Sequence, residues 1–182
     1  MIRLPGCSGG GEDTVSKSRE ARRAIDKSEL FRFLAYDSIS GVFKWKERPS
    51  NCVRIGDVAG NRHRGYIRIR VLGHLFPAHE LAWFFSYGEW PRFEIDHING
   101  DGTHNGILNL RDVLHAVNGQ NQRRARTDNK LGKLGVISYR GGYVAKIMLH
   151  GRTYYLGKHK TPEAAHQAYL LAKRELHEGC TI

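Results

Sequence analysis

The stretch Phe93-Glu94-Ile95-Asp96-His97-Ile98-Asn99-Gly100-Asp101-Gly102 decides how this chain is read. A short apolar run ends on a carboxylate beside an imidazole, and Asn99-Gly100-Asp101-Gly102 supplies turn-forming residues behind it. Asn109 and Asn118 follow thirteen and twenty-two residues after Asp96. Glu94 to Ile98 reads as a strand, Leu108 to Val113 as a second extended segment, and Leu114 to about Arg124 as a helix. An acid, a base and a second oxygen ligand are the parts that a one-metal phosphodiester hydrolase needs. Adjacent strand residues point to opposite faces. Asp96 and His97 can therefore serve one site only if the strand bends or ends there, and Asn99-Gly100 supplies the residues for it.

Working outward, residues 1–27 read as a flexible tail, because Gly9-Gly10-Gly11 and a Ser-, Arg-, Lys- and Glu-rich run have little to bury. Ser28-Glu29 caps a short helix from Leu30 to Tyr36. Val42 to Lys46 alternates as a strand, with Phe43 and Trp45 on one side. Tyr66 to Val71 alternates again: Ile67, Ile69 and Val71 point inward, Arg68 and Arg70 outward. Gly56, Gly60 and Gly65 mark turns between these strands, and His79 to Tyr87 reads as a mostly buried helix ended by Gly88 and Pro91.

With these segments in view, residues 28–126 resemble the HNH endonucleases of the phage homing type. The likeness rests on Asp96-His97-Ile98-Asn99-Gly100-Asp101, on Asn109-Leu110-Arg111 and Asn118 downstream, and on Tyr36-Asp37, Gly41 to Trp45, Gly56 to Gly60, His79 to Trp83 and Tyr87 to Pro91. The resemblance implies a ββα-metal core over 94–124. Carried over residue by residue, it makes Asp96 and Asn118 the ligands of one divalent metal, Mg²⁺ or Mn²⁺. His97 becomes the general base, and Asn109 the structural asparagine that ties the loop. Oxygen ligands suit a hard cation that keeps several waters. An imidazole with an ordinary pKa of about 6.5 suits proton abstraction at neutral pH. Three departures stand out: Glu80 where arginine is usual, Gly106 where arginine is commoner, and Leu114 in place of a threonine cap. The resemblance further implies a protein acting in the cytoplasm of a bacterial host cell, phage-encoded or not.

Charge divides the chain. The net is +11 overall, yet residues 122–182 hold twelve Lys and Arg against four Asp and Glu, a net of +8. That excess points to a polyanionic partner. Gln122 to Lys133 reads as the last helical turn and then a basic linker over 127–134, in which Arg123, Arg124 and Arg126 face phosphate. Beyond it come three candidate strands, Gly135 to Arg140, Tyr143 to Leu149 and Thr153 to Leu156, with hairpin turns between them. A helix closes the unit, capped by Thr161 with Pro162 at its first position, and Ala165, Ala168, Tyr169, Ala172 and Leu176 form its apolar face.

Gly135-Val136, Ala145-Lys146-Ile147, Tyr155-Leu156-Gly157, Thr161 to Ala165 and Ala168-Tyr169 resemble the Apetala-two (ethylene-response-factor) DNA-binding domain, here over 135–180. The resemblance implies a three-stranded sheet on double-stranded DNA, with Arg140, Lys146, Arg152, Thr153 and Tyr155 near the duplex. Ile137, Tyr139, Met148 and Thr153 stand where that family often has arginine, so phosphate contacts should outweigh base readout.

The fold class expected is α+β. A small β-rich subdomain precedes the HNH ββα-metal core, and a three-stranded antiparallel sheet with one helix follows it. Cys7, Cys52 and Cys180 are too far apart for a C-x-x-C zinc pair, so no structural zinc is expected. No apolar run approaches the ~20 residues of a membrane span. Nothing in these residues sets an oligomeric state. The function expected is metal-dependent DNA cleavage, with a non-enzymatic DNA-binding regulator on a decayed HNH fold as the alternative. RNA binding by the basic half is weaker, since no RNA-recognition signature is present.

Overall fold

Alternation in Tyr66–Val71 puts Ile69 and Val71 in the interior and leaves Arg68 and Arg70 exposed, making this strand (β4) the centre of a small sheet. A computed structural model describes residues 17–182. In it β4 is flanked by β3 (Asn61–His63) and β5 (His74–Pro77), both antiparallel to it, and neither was evident from the sequence pattern. Helix α3 (Ala78–Tyr87) starts directly after β5 and buries Ala78, Leu81, Ala82 and Phe84. Trp90 stacks on the Phe84 ring at 4.3 Å, closing the end of the helix.

The expected helix over 30–36 divides into two elements. Helix α2 (Lys27–Phe33) is capped by Asp26, whose side chain accepts from the Ser28 N–H, and the chain then extends into β1 (Leu34–Tyr36). β1 pairs with β2 (Phe43–Trp45) in the register Leu34↔Trp45, which brings the buried Leu34, Phe43 and Trp45 together. Tertiary pairing overrides the local helix pattern here.

The expected tail is structured as far as it is described. Lys17–Arg23 forms α1, from which Arg19 donates to the Phe93 carbonyl (2.6 Å) and Arg23 to the Pro91 carbonyl (2.5 Å). Arg19 and Arg22 also lie 4.0 and 3.7 Å from the Glu80 carboxylate, so the acid at position 80 meets arginines from α1. Residues 1–16 of that tail, Cys7 among them, lie outside the described residues.

Strand β6 (Glu94–His97) pairs antiparallel with β7 (Leu110–Val113), which is preceded by a single 3₁₀ turn, Ile107–Asn109. Helix α4 (His115–Gln120) follows. It is shorter than expected, has no side-chain cap at Leu114 and buries no residue. Ile95 and Leu110 join the aromatic core of the preceding elements, so the strand pair is anchored in that core.

The remaining unit consists of β8 (Val136–Tyr139), β9 (Gly142–Leu149) and β10 (Arg152–His159), with β9 central, and helix α5 (Pro162–Leu176) packed on one face. Thr161 caps α5 by accepting from the Ala164 N–H. The buried positions of α5 are Ala165, Tyr169 and Lys173, whereas Leu176, expected on the apolar face, is 40 % exposed. Overall the described chain is α+β. None of its helices is long and apolar enough to cross a membrane.

Candidate active site

β6 delivers Asp96 and His97 to opposite faces, and the strand ends there. The Gly100 N–H turns back to the His97 carbonyl at 2.8 Å, and Ile98 N–H bonds the Asn109 carbonyl at 2.9 Å. Both side chains nevertheless border one cavity of about 780 Å³, whose opposite wall comes from the β3–β4 hairpin through Arg62, Gly65 and Tyr66.

Asp96 is 6 % exposed, and its charge is answered by two side chains. Its cross-strand neighbour Arg111 donates from Nε (2.9 Å) and Nη2 (2.7 Å) to Oδ2. Asn121 donates from Nδ2 to Oδ1 (3.0 Å) and Oδ2 (3.1 Å), and to the His97 carbonyl (2.9 Å). Burial of a carboxylate is tolerated when such donors replace water.

His97 faces the other way. Its Nε2 lies 3.1 Å from Oδ1 of Asn105, a side chain only 2 % exposed. The Asn105 Nδ2 donates to the Thr103 carbonyl (3.3 Å), so its oxygen points at the ring. An oxygen there requires a donor, which puts the proton on Nε2 and leaves the lone pair on Nδ1. Asn105 is held by its backbone too: its carbonyl accepts the Tyr36 hydroxyl (2.8 Å). Gly41, at φ +73°, sits so close that a Cβ would come 2.3 Å from the Asn105 carbonyl carbon. Burial lowers the His97 pKa below its ordinary value, more than the hydrogen bond to Asn105 and the nearby Asp96 charge raise it. The result is a neutral imidazole with one defined basic nitrogen.

Asn118 borders the same cavity, but its Nδ2 donates to Glu94 Oε2 (2.8 Å), while His115 Nδ1 lies 2.9 Å from Glu94 Oε1. Burial raises the Glu94 pKa, yet the hydrogen bonds from Asn118 and His115, with the charges of His115 and Arg19, outweigh it and hold the carboxyl below its ordinary value. Glu94 and Asp96, two apart on β6, thus clamp Asn118 on α4 and Asn121 at its C-terminal cap. These polar contacts hold a helix that fully buries none of its residues. Asn109 accepts from the Asn99 N–H (3.0 Å) and donates to Asn99 Oδ1 (3.0 Å) and the His104 carbonyl (2.7 Å), bracing the loop between the strands.

Residues 76–120 match the HNH endonuclease family model. The HNH match supports a nuclease acting on nucleic acid. It contains Asp96, His97, Asn109 and Asn118 and stops one residue short of Asn121. Comparison with curated proteins gave no match, and comparison with solved structures gave none.

The HNH nucleases generally use a divalent metal, and the donors present suit one of the hard, oxygen-liking kind. Among the described residues no group of three or more His, Cys, Asp and Glu could hold an ion, and the oxygen donors on the cavity include the Asp96 and Asp101 carboxylates and the Asn118 amide. Asp96 Oδ1 accepts one hydrogen bond where Oδ2 accepts three, so Oδ1 retains ligating capacity.

Arg62, Arg123 and Arg124 give the cavity a basic rim. Arg123 is partly committed, because its Nη2 donates to the carbonyls of Ile98 (2.8 Å) and Thr181 (2.9 Å). Arg126 pairs with Asp128 at 3.4 Å. On the second sheet, the pairs Lys146↔Tyr155 and Met148↔Thr153 set Lys146, Thr153 and Tyr155 on one exposed face. Arg152, opposite Leu149, alternates onto the other face, and Arg140 sits in the hairpin turn with its guanidinium 5.2 Å from the Tyr139 ring. The sequence reading gave no role to Asn105, Arg111, Asn121 or Thr181, although Arg111 and Asn121 stand in the N-L-R and N-x-x-N motifs and pairing the two strands in register puts Arg111 opposite Asp96.

Proposed function

We propose that this protein is a metal-dependent DNA endonuclease of the homing HNH type, acting in the cytoplasm of a bacterial host. The observation that carries the reading is the fixed His97 tautomer: a neutral imidazole with its lone pair on Nδ1, at a basic-rimmed cavity that Asp96 also borders. His97 takes the proton of the attacking water at Nδ1. Asp96 and Asn118 would hold one Mg²⁺ or Mn²⁺. A divalent cation bound there supplies Lewis-acid stabilisation of the phosphoryl charge and of the leaving 3′-oxygen. Asn109 keeps the loop behind His97 in place. Arg62 and Arg124 contact the phosphates flanking the scissile one, and cleavage yields a 5′-phosphate and a 3′-hydroxyl.

In this reading residues 28–126 form the nuclease domain, with its ββα-metal core over 94–124. Residues 127–134 form a basic linker, and 135–180 an Apetala-two-like domain on double-stranded DNA. The Lys146, Thr153 and Tyr155 face lies against the duplex, with Arg140, Arg152 and Arg126 reaching phosphate from its edges. The second reading, a DNA-binding regulator without catalysis, draws on the Arg111 contact, which occupies Asp96 Oδ2 twice over.

Supercoiled plasmid incubated with the protein and Mg²⁺ or Mn²⁺ separates the two. The expected result is metal-dependent relaxation that His97→Ala slows by ~10²–10⁴-fold, the usual worth of a general base. Binding of plasmid with no metal-dependent relaxation by the unaltered protein would favour the regulator and sink the nuclease.

A further inference from the structure

The segment 179–182 follows the second unit in sequence but lies against α4 and the loop after β6. Gly179 packs so tightly on α4 that a Cβ would come 2.2 Å from the Val117 carbonyl oxygen. Its N–H bonds Gln120 Oε1 (3.0 Å), and its carbonyl accepts from Arg111 Nη2 (2.8 Å), the same nitrogen that holds Asp96. The Thr181 hydroxyl, with one proton to donate, has two acceptors in reach, the Ile98 carbonyl (2.7 Å) and, at closer range, Asn121 Oδ1. Asn121 is 6 % exposed, and the two ends of its amide are sorted by their partners: Nδ2 faces Asp96 and the His97 carbonyl, and Oδ1 faces Thr181. An amide turned over would set its oxygen against a carboxylate and a carbonyl. The only hydroxyl donor on the Oδ1 side among the described residues is that of Thr181.

We propose that Thr181 is a positioning residue of the nuclease centre, its hydroxyl fixing the Asn121 amide so that N–H groups hold Asp96 in the geometry a metal ligand requires. This rests on the reading of Asp96 as the metal-holding carboxylate. Neither Thr181 nor Asn121 lies within the residues matched by the HNH family model. The unit that carries the extra basic charge thereby also completes the site that cuts.

The test compares full-length Thr181→Val and Thr181→Ser with the unaltered protein. Partners that orient a metal ligand from outside its coordination shell are commonly worth ~10–100-fold in metal affinity or activity. Thr181→Val is therefore expected to lower kcat by about tenfold or more and to raise the Mn²⁺ concentration for half-maximal cleavage, with KM for plasmid unchanged. Thr181→Ser should restore both. A readout independent of cleavage is the Asn121 side-chain NH₂ signal in ¹⁵N spectra: slow solvent exchange in the unaltered protein and in Thr181→Ser, fast exchange in Thr181→Val. Thr181→Val with unchanged kcat, a kcat loss that serine does not restore, or an unmoved Asn121 signal each overturn the proposal. If the unaltered protein cuts nothing, the endonuclease reading fails by itself and the Asn121 signal still decides the role of Thr181. If Thr181→Val does not fold, Thr181→Ala takes its place in the same comparison.

Discussion

Residues 27–113 enclose an aromatic and aliphatic interior in which Leu30, Phe76, Leu81 and Phe84 lose all contact with solvent. The unit over 136–176 gathers a core of Val136, Ala145 and Ala165, fringed by Leu131, Tyr143, Leu156 and Ala168. Its helix spends a fully buried position on Lys173, whose ammonium donates to the Gln122 carbonyl at the end of α4. The first unit is held by its own apolar interior. The second, with small side chains and less area to bury, is held in part by polar contacts to the first through Lys173, Gly179 and Thr181. Small cores supply little stability by themselves. The contrast teaches that the units are not independent modules: the segment after the smaller one closes against β7, the turn after β6 and α4.

The most severe test of that contrast is a cavity in the larger core. Phe84→Ala should cost about 3–5 kcal/mol in urea unfolding, whereas Ile147→Val in the smaller unit should cost about 0.5–1.5 kcal/mol. Equal losses would contradict the division of apolar burial.

Acid is expected to attack the larger unit next. His79 stacks edge-on against His97 with ring centres 5.2 Å apart, and its Nδ1 has no hydrogen-bond partner. Burial, aided by the nearby His97 and Arg68, pushes its pKa from 6.5 down to about 3. The unfolded chain takes up a proton near pH 6.5 that the folded chain refuses until about pH 3. Stability is therefore unaffected above pH 6.5 and is lost as pH falls through that window, by ~1.4 kcal/mol per pH unit. Melting at pH 7 and pH 5 measures it, and His79→Phe should flatten the dependence.

A milder change addresses the polar contacts. Lys173→Met leaves the Gln122 carbonyl without its donor, a loss of ~1–3 kcal/mol for a buried acceptor. It should split a single unfolding transition into two, the smaller unit melting first. A single transition at the original midpoint would show that Lys173 does not join the units. The smallest effect is expected on the exposed sheet face. Lys146→Ala should weaken DNA binding alike for all sequences and reduce the slope of log Kd against log salt by about 0.9, one phosphate contact. An unchanged slope would remove Lys146 from the DNA surface.

Much of the fold was legible in local pattern. The alternation in 66–71, the apolar run of 79–87 and the Thr161-Pro162 helix start each mark an element by the side chains it buries or the cap it carries. Where the reading failed, a distant partner decided. Leu34 to Tyr36 became a strand because Phe43–Trp45 offers it an edge. Lys17–Arg23, read as a solvated and partly helical tail, is a helix docked on carbonyls more than sixty residues away. At the candidate site, the order Asp96-His97 with Asn109 and Asn118 behind it was visible, since a motif is a spacing along the chain. The roles of Asn105, Arg111 and Asn121 were not, because what matters about them is which atom faces which.

By itself, then, the sequence determined which chemistry-bearing residues are present, that they sit on strand, strand and helix, and that the basic charge lies mainly in the second half. Those properties follow from side-chain type and from spacing within a few turns of backbone. The tertiary structure decided the protonated nitrogen of His97, the clamping of α4 by Glu94 and Asp96, and the return of Thr181 to Asn121 across sixty residues. A hydrogen bond is a matter of tenths of an ångström and of donor direction. Only strand register and packing bring chain segments that far apart into such alignment.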